Sequence, residues 1–195
     1  MINRKFFFNH ARLNLFGGTL NSKQVLGLTT ILDQWEAKYV HNDDRWLAYM
    51  LATAHHETGR TMQPIEEWGK GKGRPYGGRV KMNRQPYTDT TELFYGRGFV
   101  QLTWYENYAR AGKELGKDFL HHAADALELK NASNIMFLGM TEGWFTTRKL
   151  SMYFNQTTED WRNARKIING LDKADLIKDY ALKYYASISY TVSNP

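Results

Sequence analysis

The chain has 195 residues, of which 42% are hydrophobic and 24% charged; this suits one soluble globular domain over residues 1–195 and excludes a disordered or fibrous protein. It contains no cysteine, which excludes a disulfide scaffold, a thiol nucleophile and a cysteine-ligated metal. The formal net charge of +6 suits an anionic partner, but no run of five or six basic residues occurs, so we expect no nucleic-acid partner.

The N-terminal segment carries the apolar run Phe6-Phe7-Phe8 directly after Arg4-Lys5. Asn9-His10 and Arg12 break this run at once, so the segment is neither the apolar region of a signal peptide nor a membrane span. We therefore expect a protein that is made without a signal peptide and does not insert stably into a membrane.

Two helices are predicted in the first third of the chain. Asn21 or Ser22 caps the first, and the second opens at Asp43-Asp44 and ends near Gly59. Apolar residues recur in both at helical spacing. These residues are Val25, Leu28, Leu32 and Trp35 in the first helix and Trp46, Tyr49 and Met50, with Thr53, in the second.

Residues 60–94 are rich in glycine, proline and charge and predict a long loop region or a short hairpin. A loop of this length in a compact domain is usually functional. Its densest basic stretch, residues 70–84, is interrupted by Gly, Pro and Tyr, and a solvated basic face is the simpler interpretation of most of these charges.

Helical signals also dominate the second half. We predict helices over residues 107–115, from Thr157 or Thr158 to Gly170, and from a cap at Asp172 onward, and residues 135–145 form an apolar stretch interrupted by glycines. No segment alternates with period two for long. The predicted fold class is therefore mainly α.

Glu57 lies on the apolar face of its helix and in the last turn. Free carbonyl groups at a helix C-terminus disfavour a negative charge, so this position favours the protonated carboxyl that a general acid needs. The alternative is a surface glutamate that merely ends the helix.

A second carboxylate follows at Glu66 or Glu67. An ionised loop carboxylate can activate a water, and an acid and a base about 6.5–9.5 Å apart are the arrangement of an inverting glycosidase. Taken alone, an exposed glutamate pair is more simply a solvated face.

The motif His55-His56-Glu57 also invites comparison with zinc proteases. A helical zinc site of that kind needs a second histidine three residues after the glutamate, and Arg60 occupies that position. We therefore predict no metal site and no cofactor.

Several motifs resemble those of the glycoside hydrolase family 19 chitinases in order and rough spacing. They are His56-Glu57-Thr58-Gly59, Tyr95-Gly96-Arg97-Gly98 with Val100-Gln101-Leu102-Thr103, Asn107-Tyr108, and Ile168-Asn169-Gly170. The likeness covers roughly residues 20–185 and is strongest to the lysozyme-type branch, the endolysins of bacteriophages and prophages. It implies a two-lobed, lysozyme-like domain.

The resemblance implies a role for each matching residue. Glu57 matches the general acid and Glu67 the general base, with Glu66 as the alternative base, and Thr103 matches the residue that helps to hold the attacking water. The substrate groove is expected to hold Gln101, Asn107 and Asn169 as amide groups, and Tyr95 and Trp104 as stacking surfaces.

The sequence also departs from the family. Plant chitinases place the second glutamate much further along the chain and carry disulfides, and both features are absent here. Lys178 is the nearest match to the basic residue expected in the last helix.

The implied activity is hydrolysis of β-1,4 bonds in bacterial peptidoglycan, or another amino-sugar polysaccharide, by a monomer that inverts the anomeric carbon. Such an enzyme is expected to be made in the bacterial cytoplasm and to act on the cell wall after release. The alternatives are a chitinase acting on chitin, a catalytically inactive carbohydrate-binding protein on the same scaffold, and export by another route.

Overall fold

The computed structural model describes residues 1–189 and is mainly helical, as predicted. Six α-helices occur in this range: α1 (Arg4–Leu15), α2 (Ser22–Lys38), α3 (Asp44–Glu57), α4 (Tyr105–Leu115), α5 (Leu129–Glu142) and α6 (Ala174–Ile188). Two short strands, β1 (Ile65–Glu66) and β2 (Arg97–Gly98), pair antiparallel. Short 3₁₀ helices cover residues 75–77, 123–127, 150–152 and 163–167.

Helix α3 lies at the centre of the core. Asp43 caps it by accepting a hydrogen bond from the Arg45 amide at 3.0 Å. Every residue from 47 to 55 is buried, and the helix packs mainly against α6 and also against α2 and α5. Because residues 47–55 are surrounded by other elements, the position of Glu57 two residues further on is fixed by core packing.

The exit from α3 is held by Thr58. Its hydroxyl donates to the Ala54 carbonyl at 2.7 Å and accepts from the Met62 amide at 3.1 Å. Gly59 follows with a φ of 56°, a left-handed conformation that favours glycine. The chain therefore turns away directly after Glu57, as the sequence predicts.

The first predicted helix is also confirmed. Asn21 and Gln24 form a capping box in which each side chain accepts from the other residue's amide. Leu28, Leu32 and Trp35 lie in the core.

The segment 60–94 contains little regular structure, as predicted. Besides β1 it holds one 3₁₀ turn and one isolated antiparallel bridge between Val80 and Pro86. Its backbone crosses itself where a Cβ on Gly77 would lie 1.9 Å from the carbonyl oxygen of Gly71. Only glycine permits so close a crossing.

Two predictions in the last third need correction. The helix predicted from Thr157 or Thr158 to Gly170 is wrong, because only residues 163–167 form a short 3₁₀ helix. The Thr157 amide instead donates to the Asn155 side chain in a turn. The residue before α6 is Lys173, and no hydrogen bond from an Asp172 side chain caps that helix within the described chain.

Helix α1 was not predicted from the sequence. Its Phe7 and Ala11 are fully buried and the helix packs against α6, so the middle residue of the aromatic run is part of the core. No helix among residues 1–189 is both long and apolar enough to cross a membrane.

Candidate active site

A cavity of about 350 Å³ opens beside the C-terminus of α3. Most of the residues predicted for the site line it: Glu57, Gln101, Thr103, Trp104, Asn107 and Asn169. The remaining lining residues are Tyr76, Met82, Val100, Phe145 and Ile168. The fold therefore brings together motifs that lie more than a hundred residues apart in the chain.

The Glu57 carboxylate pairs with Arg165. A guanidinium nitrogen of Arg165 lies 2.6 Å from Glu57 Oε1, and the two side chains are only 4% and 16% exposed respectively. Arg165 Nε donates to the Asp172 carbonyl at 3.1 Å, which holds the guanidinium in place. A buried guanidinium at this distance stabilises a negative charge on the carboxylate.

Sequence reasoning missed Arg165 as a site residue and pointed to Lys178 in the last helix. No ion pair of Lys178 occurs within residues 1–189. Arg165 instead comes from the 3₁₀ helix at residues 163–167, a segment whose conformation was predicted wrongly. Asn169 belongs to the last family motif, and Arg165 precedes it by four residues. This position is the only local signal for Arg165 in the sequence.

His56 lies directly before Glu57 and is half-buried. Burial lowers the pKa of His56, and the nearby Arg165 and Lys173 lower it further, against the opposing effect of Glu57. The imidazole is therefore neutral at neutral pH and adds no positive charge beside Glu57.

Glu67 lies beside the cavity. The Tyr76 hydroxyl donates to Glu67 Oε1 at 3.1 Å, and the Gly96 amide donates to Glu67 Oε2 at the same distance. Glu67 itself does not line the cavity, whereas Tyr76 does. Burial and the neighbouring carboxylate raise the pKa of Tyr76, so its hydroxyl stays protonated and can keep donating to Glu67.

Glu66 is engaged in a different network. Its Oε1 accepts from the Tyr95 hydroxyl at 2.7 Å and lies 3.3 Å from Arg97 Nε, and Lys70 Nζ lies 3.5 Å from Oε2. The Tyr95 hydrogen bond and the charges of Lys70 and Arg97 lower the pKa of Glu66. A carboxylate held in this way is a weak proton acceptor.

Tyr95 does not line the cavity. Its ring is only 6% exposed, and the Arg97 guanidinium lies 3.8 Å from the ring centre. The ring is therefore covered by protein, and the predicted stacking surface for a sugar is not presented by Tyr95 in this conformation.

Trp104 does line the cavity and has a strained backbone. Its φ is 74° and that of Gln101 is 54°, a left-handed conformation that is uncommon for residues with large side chains. Gln101 Nε2 donates to the Ile65 carbonyl at 3.1 Å, and paired backbone hydrogen bonds join Arg97 and Leu102. These contacts hold the turn that points Thr103 into the cavity, and such strain is found mostly at functional sites.

The polar groups of the cavity are available to a ligand. Within the described residues, neither the Thr103 hydroxyl nor the Asn107 amide forms a hydrogen bond with another protein group, although Asn107 is only 8% exposed. Asn169 uses its Oδ1 to accept from the Gly170 amide at 2.8 Å, which leaves its nitrogen free to donate.

Several cavity residues were not predicted. Tyr76 and Met82 come from the loop region that was expected to be functional, while Phe145 comes from the turn after α5. A Cβ on Gly139 would lie 2.2 Å from the Phe145 ring, so this glycine allows the ring to fold back toward α5. Trp68, next to Glu67, is fully exposed.

The donor set does not resemble a metal centre. Among the described residues no group of three or more His, Asp or Glu side chains is placed to hold a metal ion.

This mainly helical architecture matches the fold of the family 19 chitinases. Chitinase C from Streptomyces griseus HUT6037 is 21% identical over 99% of this chain and 98% of its own, with a TM-score of 0.61. A class IV family 19 chitinase from Zea mays is 15% identical over 100% of this chain and 98% of its own, with a TM-score of 0.59. A bacterial family 19 chitinase is 18% identical over 100% of this chain and 98% of its own, with a TM-score of 0.59. No protein-family model and no curated protein matches the chain.

Proposed function

We propose that this protein is an endolysin-type glycoside hydrolase that cleaves β-1,4 bonds of bacterial peptidoglycan with inversion at the anomeric carbon. The observation that carries the proposal is the Glu57–Arg165 pair in a cavity that also contains Thr103 and three amide side chains. The solved structures with this fold are described as chitinases, which supports cleavage of an amino-sugar polymer.

In this mechanism Glu57 is the general acid and protonates the leaving oxygen of the glycosidic bond. Arg165 then has a defined role, because it stabilises the carboxylate that forms when Glu57 gives up its proton. Both groups are held by buried elements, so the acid keeps one orientation toward the bond.

Glu67 is the general base, and Thr103 orients the attacking water. The Tyr76 and Gly96 donors fix the Glu67 carboxylate beside the cavity, whereas Glu66 is tied to Arg97, Lys70 and Tyr95. The unpaired Thr103 hydroxyl can both donate and accept, as a group that holds a water must. A water between acid and base attacks the face opposite the leaving group, which gives inversion.

The amides of Gln101, Asn107 and Asn169 and the indole of Trp104 hold the substrate. Acetamido groups of amino sugars need both donors and acceptors. Asn107 offers both, Gln101 has an oxygen that can accept, and Asn169 has a nitrogen that can donate. Aromatic rings bind the apolar faces of sugar rings. The protein acts as a monomer without a cofactor, is made in the bacterial cytoplasm and reaches the cell wall after release.

Hydrolysis of chitin is the second candidate, because the structures with this fold that are named above are chitinases. Purified protein is incubated with peptidoglycan sacculi and with chitin, and the release of reducing ends is measured. We expect faster release from sacculi, with products of inverted anomeric configuration by proton NMR. Release from chitin alone would favour the second candidate, and no release from either polymer would favour an inactive binding protein.

A further inference from the structure

We propose that residues 70–84, called the cationic segment, form a recognition surface for the carboxylates on the peptide stems of peptidoglycan. This inference rests on the proposed function and deepens it, because it names the feature by which the site distinguishes peptidoglycan from chitin. Chitin is a neutral polymer of the same backbone linkage, whereas peptidoglycan carries ionised peptide carboxylates along its glycan strands.

The charge of the cationic segment is unbalanced. It holds six basic residues, and no acidic residue occurs between Glu67 and Asp89. The basic residues are Lys70, Lys72, Arg74, Arg79, Lys81 and Arg84. Within the described chain only Lys70 forms an ion pair, with Glu66 at 3.5 Å. Of the other five, Lys81 and Arg84 lie over the rings of Tyr105 and Trp104. Lys72, Arg74 and Arg79 form neither an ion pair nor a ring contact within residues 1–189 and can attract an external anion.

The cationic segment is held in place by backbone contacts. The Gly71–Gly77 crossing closes its first half, and the Val80–Pro86 bridge closes its second half. The Met82 amide donates to Glu106 Oε1 at 2.9 Å, which joins the segment to α4. A charged loop that is held in one conformation loses little conformational entropy when it binds.

The cationic segment forms one wall of the cavity. Its Tyr76 and Met82 line the cavity beside Trp104, and the Arg84 guanidinium lies 5.6 Å above the centre of the Trp104 ring. Lys72, Arg74 and Arg79 are exposed on the same segment. A glycan strand in the cavity would therefore carry its side branches past these charges.

The chemistry of these cations suits carboxylates. Arginine guanidinium groups bind carboxylates through two parallel hydrogen bonds, and lysine ammonium groups act as point charges. Attraction between exposed charges extends over a Debye length of about 8 Å at physiological salt. Recognition by the cationic segment should therefore depend on salt and disappear when the substrate carboxylates are neutralised.

The test uses a triple variant, Lys72→Gln, Arg74→Gln and Arg79→Gln, which breaks no ion pair among residues 1–189. The matched control neutralises three exposed lysines on helices α2, α5 and α6, Lys38→Gln, Lys130→Gln and Lys183→Gln. Each protein is assayed on native sacculi and on sacculi whose carboxylates have been converted to amides with a carbodiimide and ammonia. Binding by co-sedimentation and release of reducing ends are both measured at low and high salt.

We expect the triple variant to lose about tenfold in binding and in hydrolysis of native sacculi at low salt, while amidated sacculi are bound and cleaved as by the unmodified protein. The control variant should behave as the unmodified protein on both substrates. Equal losses in the two variants, or equal losses of the triple variant on both substrates, would overturn the proposal. If the unmodified protein binds sacculi through the cationic segment but cleaves neither form, the hydrolase assignment fails and the recognition surface stands.

Discussion

The Arg165 guanidinium lies 2.6 Å from the Glu57 carboxylate although 108 residues separate the two in the chain. The pair joins the C-terminus of the central helix to the short 3₁₀ helix before α6. The ion pair therefore connects the stability of the core with the chemistry of the cavity.

Replacing Arg165 should lower both the stability of the protein and its turnover. In Arg165→Gln, kcat should fall by about 10²-fold with a smaller change in KM, because the carboxylate formed in the reaction loses its partner. Breaking a buried ion pair should also lower the free energy of unfolding by about 3–5 kcal/mol. Arg165→Lys should recover part of the activity. Turnover and urea denaturation of both variants test these two effects. An unchanged kcat in a folded Arg165→Gln protein would show that Arg165 has no role in the mechanism.

The two adjacent glutamates should respond differently to the same change. Glu67→Gln should reduce turnover by about 10²–10⁴-fold, because it removes the general base while the remaining oxygen can still accept from the Gly96 amide. Glu66→Gln should reduce stability more than turnover, since it leaves the buried Arg97 without its carboxylate. Initial rates and melting temperatures of both variants separate the two roles. A larger loss of turnover in Glu66→Gln than in Glu67→Gln would assign the general base to Glu66.

Thr103→Val tests whether the hydroxyl in the cavity orients the water. The change nearly preserves volume, so we expect kcat and kcat/KM to fall together, by about tenfold, with little change in substrate binding. Thermal melting is measured beside turnover. If Thr103 only fills space next to Leu102, the variant should lose stability and keep its turnover.

Stability should fall at mildly acidic pH because of His55. Burial lowers the pKa of His55 to about 4, and its Nδ1 lies 3.0 Å from the Tyr184 hydroxyl. In the unfolded chain His55 is protonated below about pH 6.5, whereas in the folded chain it is protonated only below about pH 4. The free energy of unfolding therefore decreases as the pH falls from about 6.5 to about 4. The loss is on the order of 3 kcal/mol for this group. The free energy of unfolding, measured by urea denaturation, should decrease less between pH 7 and pH 5 in His55→Gln than in the unmodified protein.

Local signals in the sequence predicted much of the fold. The capping residues Asn21 and Asp43 and the apolar spacing that follows them specify α2 and α3 because these features act within one or two helical turns. The end of α3 at Glu57 follows from Thr58 and Gly59 for the same reason. The motif residues of the cavity could be named because their order and spacing are those of a known family.

Contacts between distant segments could not be predicted in this way. The partner of Glu57 depends on how residues 163–167 pack after α5, and no spacing in the sequence encodes that contact. Burial of Tyr95 under Arg97 is likewise a consequence of tertiary packing. Helix α1 was not predicted because its apolar run is short and is broken at Asn9, and the burial of Phe7 depends on packing against α6.

The central claim is that Glu57 is the proton donor, and Glu57→Gln tests it most directly. Glutamine keeps the shape and can still accept a hydrogen bond from Arg165, but it cannot donate a proton to the leaving oxygen. Release of reducing ends from sacculi is measured at a temperature where circular dichroism shows both proteins folded, with co-sedimentation as the control for binding. We predict a loss of at least about 10²–10⁴-fold in the rate with binding retained. A folded Glu57→Gln protein that cleaves sacculi at a near-normal rate would contradict the assignment.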